Sequence, residues 1–89
     1  MTAQAEVVLK NKYGLHVRPA TLIAQTAKDF QSNVMLLKGD QEVDARSIFS
    51  MLTLAAEKGS KITIKADGDD AEQAVARLAE VIGNFDVDD

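Results

Sequence analysis

Lys12-Tyr13-Gly14-Leu15-His16-Val17-Arg18-Pro19-Ala20 decides how this chain is read. The stretch holds the only histidine, the only proline and the only tyrosine of the sequence, with one of its five glycines. Downstream, Leu22, Ile23, Ala27 and Phe30 recur at i, i+3/i+4 spacing, which predicts a helix with one buried face. Proline is tolerated in a first helical turn, where its missing N–H costs nothing and its fixed φ already suits the helix. The helix is therefore expected to begin near Val17 or Arg18 and to end near Asp29 or Phe30. His16 falls at or beside the N-cap, and Gly14 shapes the loop that enters it.

A lone imidazole thus stands at the positive end of a helix, with an arginine two residues on. Amides without intrahelical acceptors and the helix dipole make such an end suited to an anion such as phosphate. The imidazole supplies a nitrogen nucleophile beside that anion site. The Val17 and Arg18 N–H groups form a cradle, and the Arg18 guanidinium adds a charge-assisted contact to a phosphoryl oxygen. Nucleophile, cradle and guanidinium are the parts of a phosphoryl-transfer site, where positioning and electrostatics do most of the work. Spacing alone leaves a plainer reading open, in which His16 caps a helix and Arg18 is a solvated surface charge.

Outward from this stretch the pattern alternates between strand and helix. Glu6–Lys10 reads as a half-buried strand with Val7 and Leu9 inward. Gln31-Ser32-Asn33 is a turn, Val34–Lys38 a second strand, and Gly39-Asp40 a hairpin turn into a third strand, Glu42–Ala45. Ser47 opens a second helix and Gly59 is placed to close it. Ser60–Ala66 is the cleanest strand, with Ile62, Ile64 and Ala66 inward. After the Asp67–Asp70 turn, Asp69 and Glu72 have capping-box spacing, and Ala71, Ala74, Val75, Leu78 and Ile82 form a helical stripe. Gly83 and Asn84 end that helix, and Phe85 precedes an acidic tail expected to fray.

The order β-α-β-β-α-β-α predicts an α+β fold, a single domain over residues 1–89. It is a two-layer open-faced sandwich with three helices on one face of a mostly antiparallel four-stranded sheet. Pattern alone does not fix the strand order, nor separate this fold from a ferredoxin-like domain carrying an extra helix.

Composition narrows the function classes. There is no cysteine, so disulfides and thiolate metal sites are excluded. No apolar run reaches the length of a membrane span and no signal peptide is apparent, so a soluble, cytoplasmic protein without membrane insertion is expected. The net charge of −4 argues against nucleic acid as the main partner. Lys10, Lys12 and Arg18 nevertheless surround His16, a locally basic face suited to an acidic partner surface. Asp67, Asp69, Asp70 and Glu72 lack the spacing of a calcium loop, so no metal and no cofactor are expected. A serine hydrolase centred on Ser47 finds no support, since the only histidine lies at another helix start.

The second helix carries more apolar surface than one stripe needs. Ile48, Phe49, Met51, Leu52, Leu54 and Ala55 crowd eight positions. Met51, Leu54 and Ala55 form one face and Ile48, Phe49 and Leu52 its neighbour, so one set is expected at the surface as a partner-binding patch.

Gly14-Leu15-His16-Val17-Arg18-Pro19-Ala20 resembles the active-site signature of the HPr family, the histidine phosphocarriers of the bacterial phosphoenolpyruvate-dependent phosphotransferase system. The resemblance continues at Arg46-Ser47-Ile48 and at the Lys58-Gly59-Ser60 turn, and covers essentially the whole chain. It implies a sheet in the order 1-4-2-3, a phosphoryl group carried on Nδ1 of His16, and assistance from Arg18. It implies a stoichiometric carrier and no self-sufficient enzyme, monomeric, loaded by Enzyme I and discharged to enzyme IIA domains. It places partner contacts on the second helix, here Ile48, Phe49 and Leu52. It also makes Ser47 a candidate for regulatory phosphorylation by an HPr serine kinase/phosphorylase. Asn11-Lys12-Tyr13-Gly14 and Phe85-Asp86 resemble proteobacterial members, including the nitrogen-related branch. Leu54-Ala55-Ala56-Glu57-Lys58 departs from the Gly-rich helix end of several Gram-positive members.

Overall fold

Among residues 1–86, which the computed structural model describes, the chain runs in the order expected. Its elements are β1 (Thr2–Val8), α1 (Val17–Ala27), β2 (Asn33–Lys38), β3 (Gln41–Asp44), α2 (Ile48–Leu52), β4 (Lys61–Asp67) and α3 (Ala71–Gly83). The strands form one antiparallel sheet in the order β1-β4-β2-β3. Alternation sets the register: Val7 lies opposite Ile62, Ala5 opposite Ile64 and Ala3 opposite Ala66, while Val34 and Leu36 meet Ala66 and Ile64 from the other side. A period of two then puts all of these on the helix-covered face. Lys61, Lys65, Gln4 and Glu6 point to the open face and are exposed.

β1 begins four residues earlier than Val-Leu alternation alone suggests. Ala3 and Ala5 carry little hydrophobic signal, but small residues here admit α3, which packs across β1 and β4. The predicted stripe of α3, Ala71, Ala74, Val75, Leu78 and Ile82, is buried in full. The two alanines of that stripe, Ala71 and Ala74, explain how the helix sits close to the sheet.

Four local expectations need correction. α1 ends at Ala27, and Phe30 reaches the core from the turn beyond it. Its buried stripe is Ala20, Ile23, Ala24 and Ala27; Leu22, one position and about 100° off that stripe, is 48% exposed. α2 stops at Leu52 and is not closed by Gly59. The chain leaves the helix through Ala55, whose φ of +49° is unusual for a residue with a Cβ. The Lys38 ammonium donates to the Leu54 and Ala55 carbonyls at 3.3 Å each. Gly59 instead turns the chain into β4 with φ +92°.

The fourth correction is at α3, whose N-cap is Asp70 and not Asp69. The Asp70 carboxylate does not cap its own helix: it accepts the Gln31 and Ser32 amides at 2.9 Å each and the Ser32 hydroxyl. These donors, the Ser32 hydroxyl foremost, hold its carboxyl below the ordinary aspartate range. The start of α3 is thereby bolted to the entry of β2, nearly forty residues away in sequence. Of the acidic tail expected to fray after Phe85, residues 87–89 lie outside those described. No helix among the described residues is long and apolar enough to cross a membrane.

Candidate functional site

The loop between β1 and α1 is built on buried polar and backbone contacts. Leu9 prolongs the β1–β4 pairing, its N–H donating to the Ser60 carbonyl at 3.0 Å and its carbonyl accepting the Gly59 N–H at 2.7 Å. Asn11, wholly buried, donates through Nδ2 to the Gly14 carbonyl at 2.6 Å, and the Gly14 N–H donates back to the Asn11 carbonyl at 3.2 Å. Gly14 itself has φ +63° and lies directly on the backbone of Ala56 and Glu57. A Cβ there would stand 2.8 Å from Glu57 Cα and collide with the Ala56 carbonyl. That same carbonyl accepts the Leu15 N–H at 2.9 Å. Only glycine meets both demands, the left-handed φ and the close approach.

So anchored, the chain delivers His16 to the N-cap of α1 in an extended conformation, φ −112° and ψ −167°. The His16 carbonyl accepts the first helical bond, from Ala20 N–H at 2.9 Å, and its own N–H donates to the Gly14 carbonyl at 3.1 Å. The imidazole makes no capping bond to the helix, and no acidic residue occupies the first turn. Pro19, buried at the third helical position, has no N–H, so Val17 and Arg18 supply the amides that open the helix. Both residues are exposed, and His16 is half-buried. The structure thus brings His16, Val17 and Arg18 together at one helix end, with Lys10 and Lys12 exposed on the loop before it.

Two contacts at this end were not legible in the sequence. The Tyr13 ring stands edge-to-face with the His16 imidazole, centroids 5.9 Å apart and planes at 88°. The Lys12 ammonium lies 5.2 Å from the Tyr13 centroid. A buried Asn11 beneath the loop was equally unforeseen. An asparagine three residues before a glycine at a turn is the signal available for it, and the ring contact has none.

The second helix start is different. Ser47 is the N-cap of α2; its Oγ accepts the Ser50 amide at 3.2 Å and donates to the Ser50 hydroxyl at 2.9 Å. Of the predicted docking trio, Phe49 is 85% exposed, whereas Ile48 and Leu52 are half-buried against the core. Met51 and Leu54 form the buried side, but Ala55 is exposed. Arg46 donates through Nη2 to the Phe30 and Ser32 carbonyls, holding the connection between α1 and β2. α1 and α2 pack against each other, so Ser47 and Phe49 belong to an element adjoining the one that carries His16.

With the geometry in hand, comparison with known proteins gives a consistent answer. A family model described as "PTS HPr component phosphorylation site" matches residues 3–84. The phosphocarrier protein HPr of Haemophilus influenzae is 40% identical over 77 residues, covering 86% of this chain and 88% of that one. The HPr of Mycoplasma capricolum is 34% identical over 80 residues, 90% of each chain. Among solved structures, an HPr from Thermoanaerobacter tengcongensis superposes with a TM-score of 0.86 at 38% identity, over 90% of both chains.

Proposed function

The chain belongs to the HPr family of phosphotransferase-system phosphocarriers, and we propose that His16 is the residue that carries its phosphoryl group. The observation that supports this most is the start of α1. An imidazole stands at the N-cap without closing the helix, with no carboxylate in the first turn and with Arg18 beside it. In this reading the Nδ1 lone pair of neutral His16 attacks the phosphorus held by a donor phosphohistidine on Enzyme I. The new N–P bond forms as the donor's N–P bond breaks, and the donor ring departs neutral. The acceptor ring, still bearing its Nε2 proton, balances part of the phosphoryl charge. Reversal of the same exchange passes the group to an enzyme IIA domain. The Val17 and Arg18 amides and the Arg18 guanidinium hold the phosphoryl oxygens, while the dipole of α1 favours their charge. The protein turns nothing over alone: it is a stoichiometric relay, working as a monomer in the cytoplasm.

Docking rests on Phe49, with Ile48 and Leu52 beneath it, because an aromatic so exposed beside the acceptor's helix suits a partner surface. Ser47 is a second phosphorylation site in this reading, a target for a serine kinase. Its Oγ already accepts the Ser50 amide, and a phosphate oxygen offers that amide the same acceptor while adding about two negative charges beside the patch. The fold would survive and an acidic partner would be repelled. Service in the nitrogen-related branch is the alternative, with the same chemistry at His16 and other partners.

Incubation with phosphoenolpyruvate and Enzyme I, followed by intact mass, is the direct test. One acid-labile phosphoryl group on the wild type and none on His16→Ala is expected. Uptake by His16→Ala would overturn the assignment. Failure of the folded wild type with an Enzyme I from either branch would shift the reading to a regulatory binder governed by Ser47.

A further inference from the structure

We propose that Asn11 is a positioning residue for the transfer: its buried side-chain amide fixes the peptide unit that sets the backbone of His16 in place. This deepens the reading above and rests on His16 being the acceptor. The peptide unit joins Gly14 to Leu15, and it is pinned at both ends. Its oxygen accepts Asn11 Nδ2 at 2.6 Å, and its N–H donates to the Ala56 carbonyl at 2.9 Å. A peptide unit is planar and stiff, so a bond at each end fixes its orientation. The same oxygen also accepts the His16 N–H at 3.1 Å, so His16 hangs from the atom that Asn11 holds. Asn11 is in turn rooted in the sheet, because Leu9, two residues before it, pairs with Gly59 and Ser60.

The turn alone does not call for a buried asparagine. The Asn11 carbonyl already accepts the Gly14 N–H at 3.2 Å, which closes the turn through main-chain atoms. The side chain is wholly buried, yet only half of its amide is used: Oδ1 has no hydrogen-bond partner among the described residues. Turning the amide round does not help, since the Gly14 oxygen only accepts and the group facing it has to be the NH2. A buried acceptor without a donor lowers stability, and an apolar side chain of similar size avoids that loss. The apolar side chain would not hold the Gly14 oxygen. The chain thus keeps a polar group at a penalty, and the one bond that group makes leads to His16.

The consequence is chemical. In-line exchange of a phosphoryl group between two nitrogens tolerates little error in where the acceptor stands; a misplacement of about 1 Å costs up to about a hundredfold in rate. Without the Asn11 amide, the Gly14–Leu15 peptide can tilt about its bond to Ala56 and take the His16 N–H with it. Val17 and Arg18 stay with α1, which Ala20, Ile23, Ala24 and Ala27 hold in the core. The shift therefore falls on His16 relative to the amides that receive the phosphoryl oxygens.

Wild type and His16→Ala come first, by intact mass with Enzyme I and phosphoenolpyruvate; if these do not differ, the acceptor assignment falls and this proposal with it. Asn11→Leu then removes the donor and the orphaned oxygen together. It should unfold thermally close to wild type, yet load with kcat lowered roughly ten- to hundredfold at a nearly unchanged KM for the carrier. Asn11→Ala, small enough to fit whatever the packing, should show a similar loss of kcat. Ser32→Ala is the destabilised control, since it loses the hydroxyl bond to Asp70. Ser32 precedes the Asn33–Asp67 pair, at the end of the sheet opposite the Val8–Lys61 pair from which the His16 loop departs, so this variant should load at the wild-type rate. An Asn11→Ala protein that loads at the wild-type kcat overturns the proposal. So does a defect confined to KM, which would make it an effect on docking. A Ser32→Ala protein as slow as Asn11→Ala overturns it as well, by reducing the loss to one of stability.

Discussion

The N-termini of α1 and α2 start from similar backbones and end in different chemistry. Both N-caps are extended, His16 with φ −112° and Ser47 with φ −104°. Ser47 turns its hydroxyl back onto the Ser50 amide, so its helix is closed by its own side chain. His16 makes no such bond, and Pro19 removes a donor from the same turn. A short helix of Ile48–Leu52 needs its cap to exist at all; the longer α1, Val17–Ala27, is held by Ala20, Ile23, Ala24 and Ala27 in the core and can leave its end for another use. Capping is a stability device that a function can displace only where packing supplies enough on its own.

This contrast can be broken outright by His16→Ala. Phosphoryl uptake, read by mass, should vanish, while the free energy of urea unfolding stays within about 0.5 kcal/mol of wild type, because no cap is lost. Next in size is Gly14→Ala, which forces a Cβ into the Ala56 carbonyl at a left-handed φ. A loss of about 3 kcal/mol in urea unfolding is expected, with uptake falling alongside it as the loop shifts. Ser47→Ala tests the other helix: about 1 kcal/mol of stability should go, with uptake from Enzyme I intact. An unaltered midpoint there would show that α2 does not depend on its cap.

Smaller effects sharpen the comparison. Ala55→Gly relieves a left-handed alanine at the end of α2 but adds freedom to the unfolded chain, so a net gain of about 0.5 kcal/mol is expected by thermal unfolding. Asp70 provides the acid-side readout. Its folded carboxyl titrates below its unfolded value because the ionised form accepts the Ser32 hydroxyl and the Gln31 and Ser32 amides. The stability it contributes is therefore complete above the unfolded aspartate value near pH 4 and fades as pH falls through the lower folded value. In Asp70→Asn the slope of stability against pH should flatten in that acid window alone; an unchanged slope would remove Asp70 from the account.

Most of the fold was legible because its signals are local. Pro19 located the start of α1, Gly39-Asp40 the hairpin, and the Ile62-Ile64-Ala66 alternation the central strand. The misses share a cause. Leu54-Ala55-Ala56-Glu57-Lys58 has good helix formers, yet α2 ends before it, because Lys38 ties the Leu54 and Ala55 carbonyls and Ala56 must meet Leu15. Asp69 and Glu72 have ideal capping spacing, yet Asp70 serves two amides and a hydroxyl far away in sequence. Both are tertiary demands that no window along the chain contains. At the candidate site the residue types and their order were readable, since helix entry and charge are sequential properties. The Tyr13–His16 contact was not, because it depends on which way a loop side chain turns.

The pairing of β1 solely with β4 carries a consequence for how the protein is made. Thr2–Val8 leaves the ribosome early, but its partner Lys61–Asp67 follows some sixty residues later. Until then one strand has an unpaired backbone and three inward side chains without a surface to cover them. Closure of that ladder waits on a contact between strands far apart in sequence, the kind whose loop entropy slows folding. The sheet that displays the His16 loop is therefore finished late in synthesis, and the loop gains its footing on Ala56 and Glu57 only as the strand beyond them arrives.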